Sequence, residues 1–185
     1  MASAPTLMLF ARRLAGGALS GSITRMKQAT GTHLHRILGY SHIEGTVPTG
    51  EVITSNPFVV GGREWHLAIY PNGVDADHRG FISADLWLGL YETSATATYR
   101  VSLLDNAGNA VHSRVVGPCW FKDYGSAEWT GVNDLVVMEE QKRSVPFLHR
   151  NDCLNIQCDV AMMKMEPKHC NKCFMRLDRA INRFC

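Results

Sequence analysis

The sequence predicts an all-β chain, an antiparallel β-sandwich, on three observations. Apolar residues recur at a period of two through most of the centre. Turn-forming clusters separate those runs at roughly ten-residue spacing. Helical signals are minor in the centre, and sustained helical periodicity comes only at the C-terminal end.

In chain order, residues 1–29 read as a leader, flexible and disordered or serving as an organelle-targeting segment. They carry basic residues and no acid, which suits a transit peptide, and Gly16-Gly17 would cut short any helix over Thr6 to Leu19. Strand periodicity is expected from about Thr32. Trp65, Leu67 and Ile69 share one face of a strand ending at Tyr70-Pro71-Asn72-Gly73, a turn sequence. Ile82, Ala84, Leu86, Leu88 and Leu90 alternate against Phe81, Ser83, Asp85, Trp87 and Gly89. Ala97, Tyr99, Val101 and Leu103 share the next face. Asp105-Asn106-Ala107-Gly108 makes a turn, and Val111, Ser113 and Val115 resume the alternation. Asn133 is placed to cap a turn or two of helix through Leu135 to Glu140. Leu154, Ile156, Cys158, Val160 and Met162 form the last strand face. Residues 164–185 then read as a short, basic, amphipathic helical tail, with Cys170, Cys173, Phe174, Leu177, Ile181 and Phe184 at three- and four-residue spacing.

Composition excludes several classes. The hydrophobic share of 45% argues against wholesale disorder. No stretch approaches the length of a membrane-spanning helix. Residues 1–43 hold five basic residues and no acid, residues 44–161 are seven charges negative, and residues 162–185 are four positive. An acidic centre would repel phosphate, so the folded part is not expected to bind nucleic acid. Six scattered Cys read as reduced thiols, which points to cytoplasm or nucleus, with organelle targeting by residues 1–29 the weaker alternative.

No catalytic or phosphate-binding motif is present, so no enzyme and no cofactor is expected. Asp75 and Asp77 beside His78 suit a polar connection between strands. Cys170-x-x-Cys173 next to His169 is half of a zinc site and the one weak metal candidate. The outward set Phe81, Ser83, Asp85 and Trp87 puts two aromatics on a face that should be polar, which is how a sheet grips an extended peptide. Alternatively, Trp87 packs under a loop or the C-terminal helix.

Gly39-Tyr40-Ser41, the run from Gly50 through Asn56-Pro57-Phe58 to Trp65, and Ile69-Tyr70-Pro71-Asn72-Gly73 resemble the opening of a MATH (meprin and TRAF homology) domain. Ser102 to Gly108 is similar to the family's central hairpin, and Asn151 to Val160 to its closing strand. The match covers residues 30–163 and is most similar to the plant proteins that join a MATH to a BTB/POZ domain, relatives of speckle-type POZ protein. The resemblance implies an eight-stranded TRAF-like antiparallel sandwich with a shallow groove across one sheet. Such a groove holds an extended Ser/Thr-rich peptide of a protein substrate. It implies kinship with substrate adaptors of type-3 cullin-RING ubiquitin ligases, hence protein ubiquitination, with BTB/MATH adaptors as a further partner class. A BTB domain needs about a hundred residues, an ordinary domain size, and only 23 follow Met162. The expectation is therefore a recognition half without the cullin-binding half. Carried over by position, the family's groove residues fall at Asp85, Tyr99, Cys119 and the segment from Trp129 to Val132. With the outward Trp87, the expected peptide-binding residues are Asp85, Trp87, Tyr99, Cys119, Trp129 and Val132. Several depart from the family's rings, since Asp85 puts a charge, and Cys119 and Val132 smaller side chains, where aromatics are typical. Parity sets Tyr99 with the core-facing Val101 and Leu103, which a β-bulge could reconcile with a groove position.

Overall fold

The computed structural model describes residues 23–92, 94–122, 125–126, 132–137 and 152–168. Among them run β1 (Ile23–Leu38), α1 (Tyr40–Thr46), β2 (Ile53–Thr54), β3 (Phe58–Val60), β4 (Arg63–Tyr70), β5 (Phe81–Leu88), β6 (Ser94–Leu104), β7 (Ala110–Lys122), β8 (Gly125–Ser126), β9 (Val132–Val137) and β10 (Cys153–Lys168). Lys27–Lys164 forms one compact unit. Met1–Met26 with Met165–Cys185 forms another, of which only 23–26 and 165–168 are described.

Two antiparallel sheets make up the larger unit. One has the order β1-β10-β6-β7; the other has β2-β4-β5-β8, with β3 also on β4 and β9 also on β5. Thr32 bonds Asp159 and Arg36 bonds Asn155, so β1 and β10 advance in opposite directions. The alternating residues supply the core as expected. Trp65, Leu67, Ile69, Ile82, Leu86 and Leu88 of one sheet are fully buried, as are Tyr99, Val101, Leu103, Ile156, Cys158 and Val160 of the other. Trp65 meets Phe121 edge-on, with ring centroids 5.0 Å apart at 86°, a favoured aromatic geometry. Its indole N–H donates to the Val60 carbonyl at 3.3 Å, so burying this large side chain strands no polar group. Burial in this apolar interior pushes the Cys158 thiol up to about 12, and the thiol packs as a small hydrophobe.

Two polar devices tie the ends of the fold together. Buried Ser55 lends its hydroxyl to the Leu67 N–H at 3.0 Å and its own N–H to the Leu67 carbonyl at 2.8 Å, extending the ladder beyond β2. α1 starts at Gly39, which has no side chain to cap it. Asp152, just ahead of β10, fills that role: its carbonyl accepts from Gly39 and Tyr40, and its carboxylate from the Ser41 N–H and hydroxyl.

Several expectations are corrected. The helix expected over Leu135 to Glu140 is replaced, where described, by β9, whose β-branched Val132, Val136 and Val137 pair with β5. Residues 23–29, assigned to the leader, belong to β1. Its inward positions are Ala29, Gly31, His33 and His35, too weakly apolar to show the period in sequence. Residues 164–168, assigned to the helical tail, continue β10. Residues 1–22 and 169–185 lie outside the described residues. Leu90 falls past the end of β5 and is exposed, and Val111 and Val115 of β7 are exposed rather than core. Among the described residues no helix is long and apolar enough to cross a membrane.

Candidate functional site

The middle of β5 carries a buried carboxylate. Asp85 is only 8% exposed, and a carboxylate so placed needs partners. The Trp87 indole N–H donates to its Oδ2 at 3.2 Å, and the Tyr99 hydroxyl reaches across from the other sheet to its Oδ1 at 3.3 Å. Tyr99 is 1% exposed. Burial first, and then the Asp85 charge, raise its phenol well above the usual tyrosine range. It therefore keeps its proton and acts as a donor. Tyr70 lies within the same field, and burial followed by Asp85 raises its phenol too.

Of the six residues nominated from sequence, the structure brings Asp85, Trp87 and Tyr99 into direct contact. Cys119 is buried opposite Ala97, close enough to Tyr99 to act on its titration. Val132 pairs with Ala84, one residue from Asp85; its side chain is not described. Trp129, Cys170 and Cys173 lie outside the described residues. Tyr99 and Cys119 thus face the interior, Asp85 is nearly enclosed, and Trp87 is half-buried. The set is a polar brace between the sheets with one ring partly open. The Asp75 group is local as well: its carboxylate takes the N–H groups of Asp77 and His78 and meets the His78 ring at 2.6 Å.

A bulge does occur near Tyr99, but on β7. Tyr99 pairs with Val116 and Ala97 with Cys119, so three steps on β7 oppose two on β6. Gly117, at φ +110, makes this possible, since a Cβ there would come within 2.8 Å of the Ala97 carbonyl oxygen. The extra residue resets parity on β7. Cys119 and Phe121 turn inward, and Trp120 turns out to solvent, 63% exposed. Lys122 sits 6.0 Å from the centre of the Trp120 ring.

This outward face was not legible as a site. Trp120 stands opposite Thr96, and Val115, also 63% exposed, stands opposite Arg100. Beside them a concavity of 360 Å³ is lined by Thr32, Thr98, Arg100, Asp159 and their neighbours on β1 and β10. The surface combines one indole, hydroxyls and a charge of each sign. The available signal was the Gly117-Pro118 dipeptide, a marker of broken strand parity.

A family model of the MATH domain matches residues 32–160. BTB/POZ and MATH domain-containing protein 4 of Arabidopsis thaliana is 30% identical over 155 residues, covering 78% of this chain and 32% of that protein. BTB/POZ and MATH domain-containing protein 6 of the same plant is 31% identical over 160 residues, covering 82% and 37%. The chain thus spans about a third of the length of these relatives. Among solved structures, Notothenia coriiceps TRAF5 superposes with a TM-score of 0.54 at 20% identity, over 74% of this chain and 75% of that one, a likeness of fold. With the two sheets, their order and this match in hand, the chain belongs to the MATH domain family, whose domains are protein-interaction modules.

Proposed function

We propose that this protein is a non-enzymatic recognition module that holds an extended Ser/Thr-containing segment of a partner protein along a sheet surface. The observation that carries the reading is the outward face of β7, which ends its sheet among the described residues and exposes Trp120 and Val115 beside hydroxyl-bearing neighbours. Large apolar side chains on an exposed strand mark contact surfaces, and an extended peptide can combine strand-like pairing with pockets for alternate side chains. Of the residues nominated from sequence, Trp87, on β5 of the other sheet, is the one with an open edge for direct contact; Asp85 and Tyr99 position it. Trp129 and Val132 are further proposed contact residues, whereas Cys119, turned into the interior, packs in the core. The relationship to BTB/POZ and MATH proteins supports a role allied to substrate adaptors of type-3 cullin ubiquitin ligases, with this chain supplying recognition. Among the described residues the buried free thiols Cys119, Cys153 and Cys158 support a reducing compartment, cytoplasm or nucleus.

The test is fluorescence anisotropy with a labelled Ser/Thr-rich peptide identified on an array. Binding is expected at about micromolar strength or weaker, because the peptide must be ordered on docking. Trp120→Ala should weaken it about tenfold or more, as removal of an aromatic anchor does. Absence of any binding peptide would favour a second reading, a structural domain without ligand. The burial of Tyr99 and Cys119 is the observation on that side.

A further inference from the structure

β1 contains an arrangement the recognition surface does not use. Its residues alternate: Thr32, Leu34 and Arg36 are exposed, while His33 and His35 turn inward with Ile37. The His33 ring lies flat on Phe58 of β3, with centroids 4.3 Å apart at 5°. The His35 ring follows 6.5 Å further, nearly parallel to His33. The Nε2 atoms of both rings are buried and lack a hydrogen-bond partner. That is tolerable for a neutral imidazole and costly for a charged one, whose N–H groups would both need acceptors.

We propose that His33 and His35 form an acid-sensitive latch: protonating the pair releases β1 from the sandwich and bares the edge of β10. Among the described residues β1 ends its sheet, so it can detach without dismantling the strands behind it. The groups around the pair give a proton nothing to bond. On β10, Cys158 faces inward as a neutral thiol, while Asp159 faces outward and is engaged by Thr32 and Gln157. Residues 53–62, which include β3, contain no ionisable side chain. On β1 itself Lys27 is exposed, and Arg36 is exposed and bonds Asn155. Burial holds both imidazoles below the usual histidine value, and the neighbouring His33 charge lowers His35 further. The sign follows from linkage. The unfolded strand takes up protons at about pH 6.5 and the folded one only lower, so stability is full above that value and falls as pH drops towards the depressed one. A detached β1 would leave a strand edge of β10 open to pairing with another chain.

Hydrogen–deuterium exchange of the full chain tests this, with rates corrected for the intrinsic pH dependence of exchange. Between about pH 7.5 and about pH 5.5, β1 peptides should lose about tenfold protection, the equivalent of one unit of proton linkage. Peptides of β4 and β5 should keep theirs. A His33→Phe/His35→Phe variant should hold β1 protection constant across the range. Unchanged β1 protection in the wild type, or the same acid response in the variant, would overturn the proposal. Should the variant not fold, imidazole NMR titration of the wild type decides. Both rings should titrate below 6.5, and either one titrating at or above it would sink the latch. The outcome is independent of peptide binding, so it leaves the recognition reading standing or falling by itself.

Discussion

β5 and β7 are both long strands of the same sandwich, and they stand in opposite relations to solvent. From Ile82 to Leu86 every residue of β5 is buried, on both faces. Along β7 only Cys119 and Phe121 are. The difference lies in position. β5 is paired on both edges, with β4 on one side and β8 and β9 on the other, whereas among the described residues β7 pairs within its sheet only with β6. Buried on both faces, β5 carries Asp85 with donors from Trp87 and Tyr99 beside it. β7 can carry Trp120 outward because water, or a partner, lies there. A central strand is tuned for stability and an edge strand for contact.

That contrast predicts which tryptophan matters for what. Trp65→Ala empties a fully buried site against Phe121, and should cost about 3–5 kcal/mol in chemical denaturation. Trp120→Ala should change stability by less than about 0.5 kcal/mol while removing most peptide affinity. A Trp120→Ala protein as unstable as Trp65→Ala would mean that the outward face of β7 is structural, and the distinction would fail.

Gly117 sets the face of Trp120, so its replacement should couple the two properties. Gly117→Ala must hold a Cβ at φ +110 against the Ala97 carbonyl, a strain of about 1–3 kcal/mol. If the bulge yields instead, Cys119 and Trp120 exchange faces. Loss of peptide affinity beyond what the drop in stability explains would show that parity was altered. Retained affinity at reduced stability would show that the bulge survives.

Inside β5, Tyr99→Phe removes the hydroxyl on Asp85 and keeps the ring. The expected loss is about 1–3 kcal/mol, the cost of leaving a buried acceptor short of a donor. In a cycle with Asp85→Asn the two changes should couple by about 0.5 kcal/mol or more. Strict additivity would mean that the 3.3 Å contact contributes nothing.

How much of this was legible follows the same division. The inward residues of β4, β5, β6 and β10 were readable because strict alternation of large apolar side chains has one cheap solution, a shared interior. Parity alone also placed Tyr99 with Val101 and Leu103, where it is. β9 was misread as a helix because a lone cap signal at Asn133 competed with a short β-branched run, and pairing with β5 decided the outcome. β7 was misjudged for another reason: Val111 and Val115 alternate as a core strand would, and nothing in a period of two says whether a second sheet lies above. In sequence Asp85 looks like a groove residue because it stands between two outward aromatics and at a position the family's groove uses. Its enclosure depends on a tyrosine fourteen residues away, reaching from the opposite sheet.

The smallest effect is expected where β6 turns into β7, at a carboxylate open to solvent. Asp105 accepts N–H groups from Ala107 and Asn109 and the Asn109 side-chain amide, while Gly108, at φ +87, donates to the Asp105 carbonyl and completes the turn. The Asn109 bonds, backbone first, hold the carboxyl below the usual aspartate range. A lowered value means that its contribution is fully present above 3.8 and disappears as pH falls through the folded-state value. Asp105→Ala should therefore leave peptide affinity unchanged and lower the melting temperature slightly at neutral pH, a deficit that closes in acid. Amide exchange at Ala107 and Asn109 is the local readout, faster in the variant at neutral pH. Were the variant to lose affinity, the hairpin tip would have to guide β7 as a whole, and the contrast with β5 would then rest on the turn rather than on the bulge at Gly117.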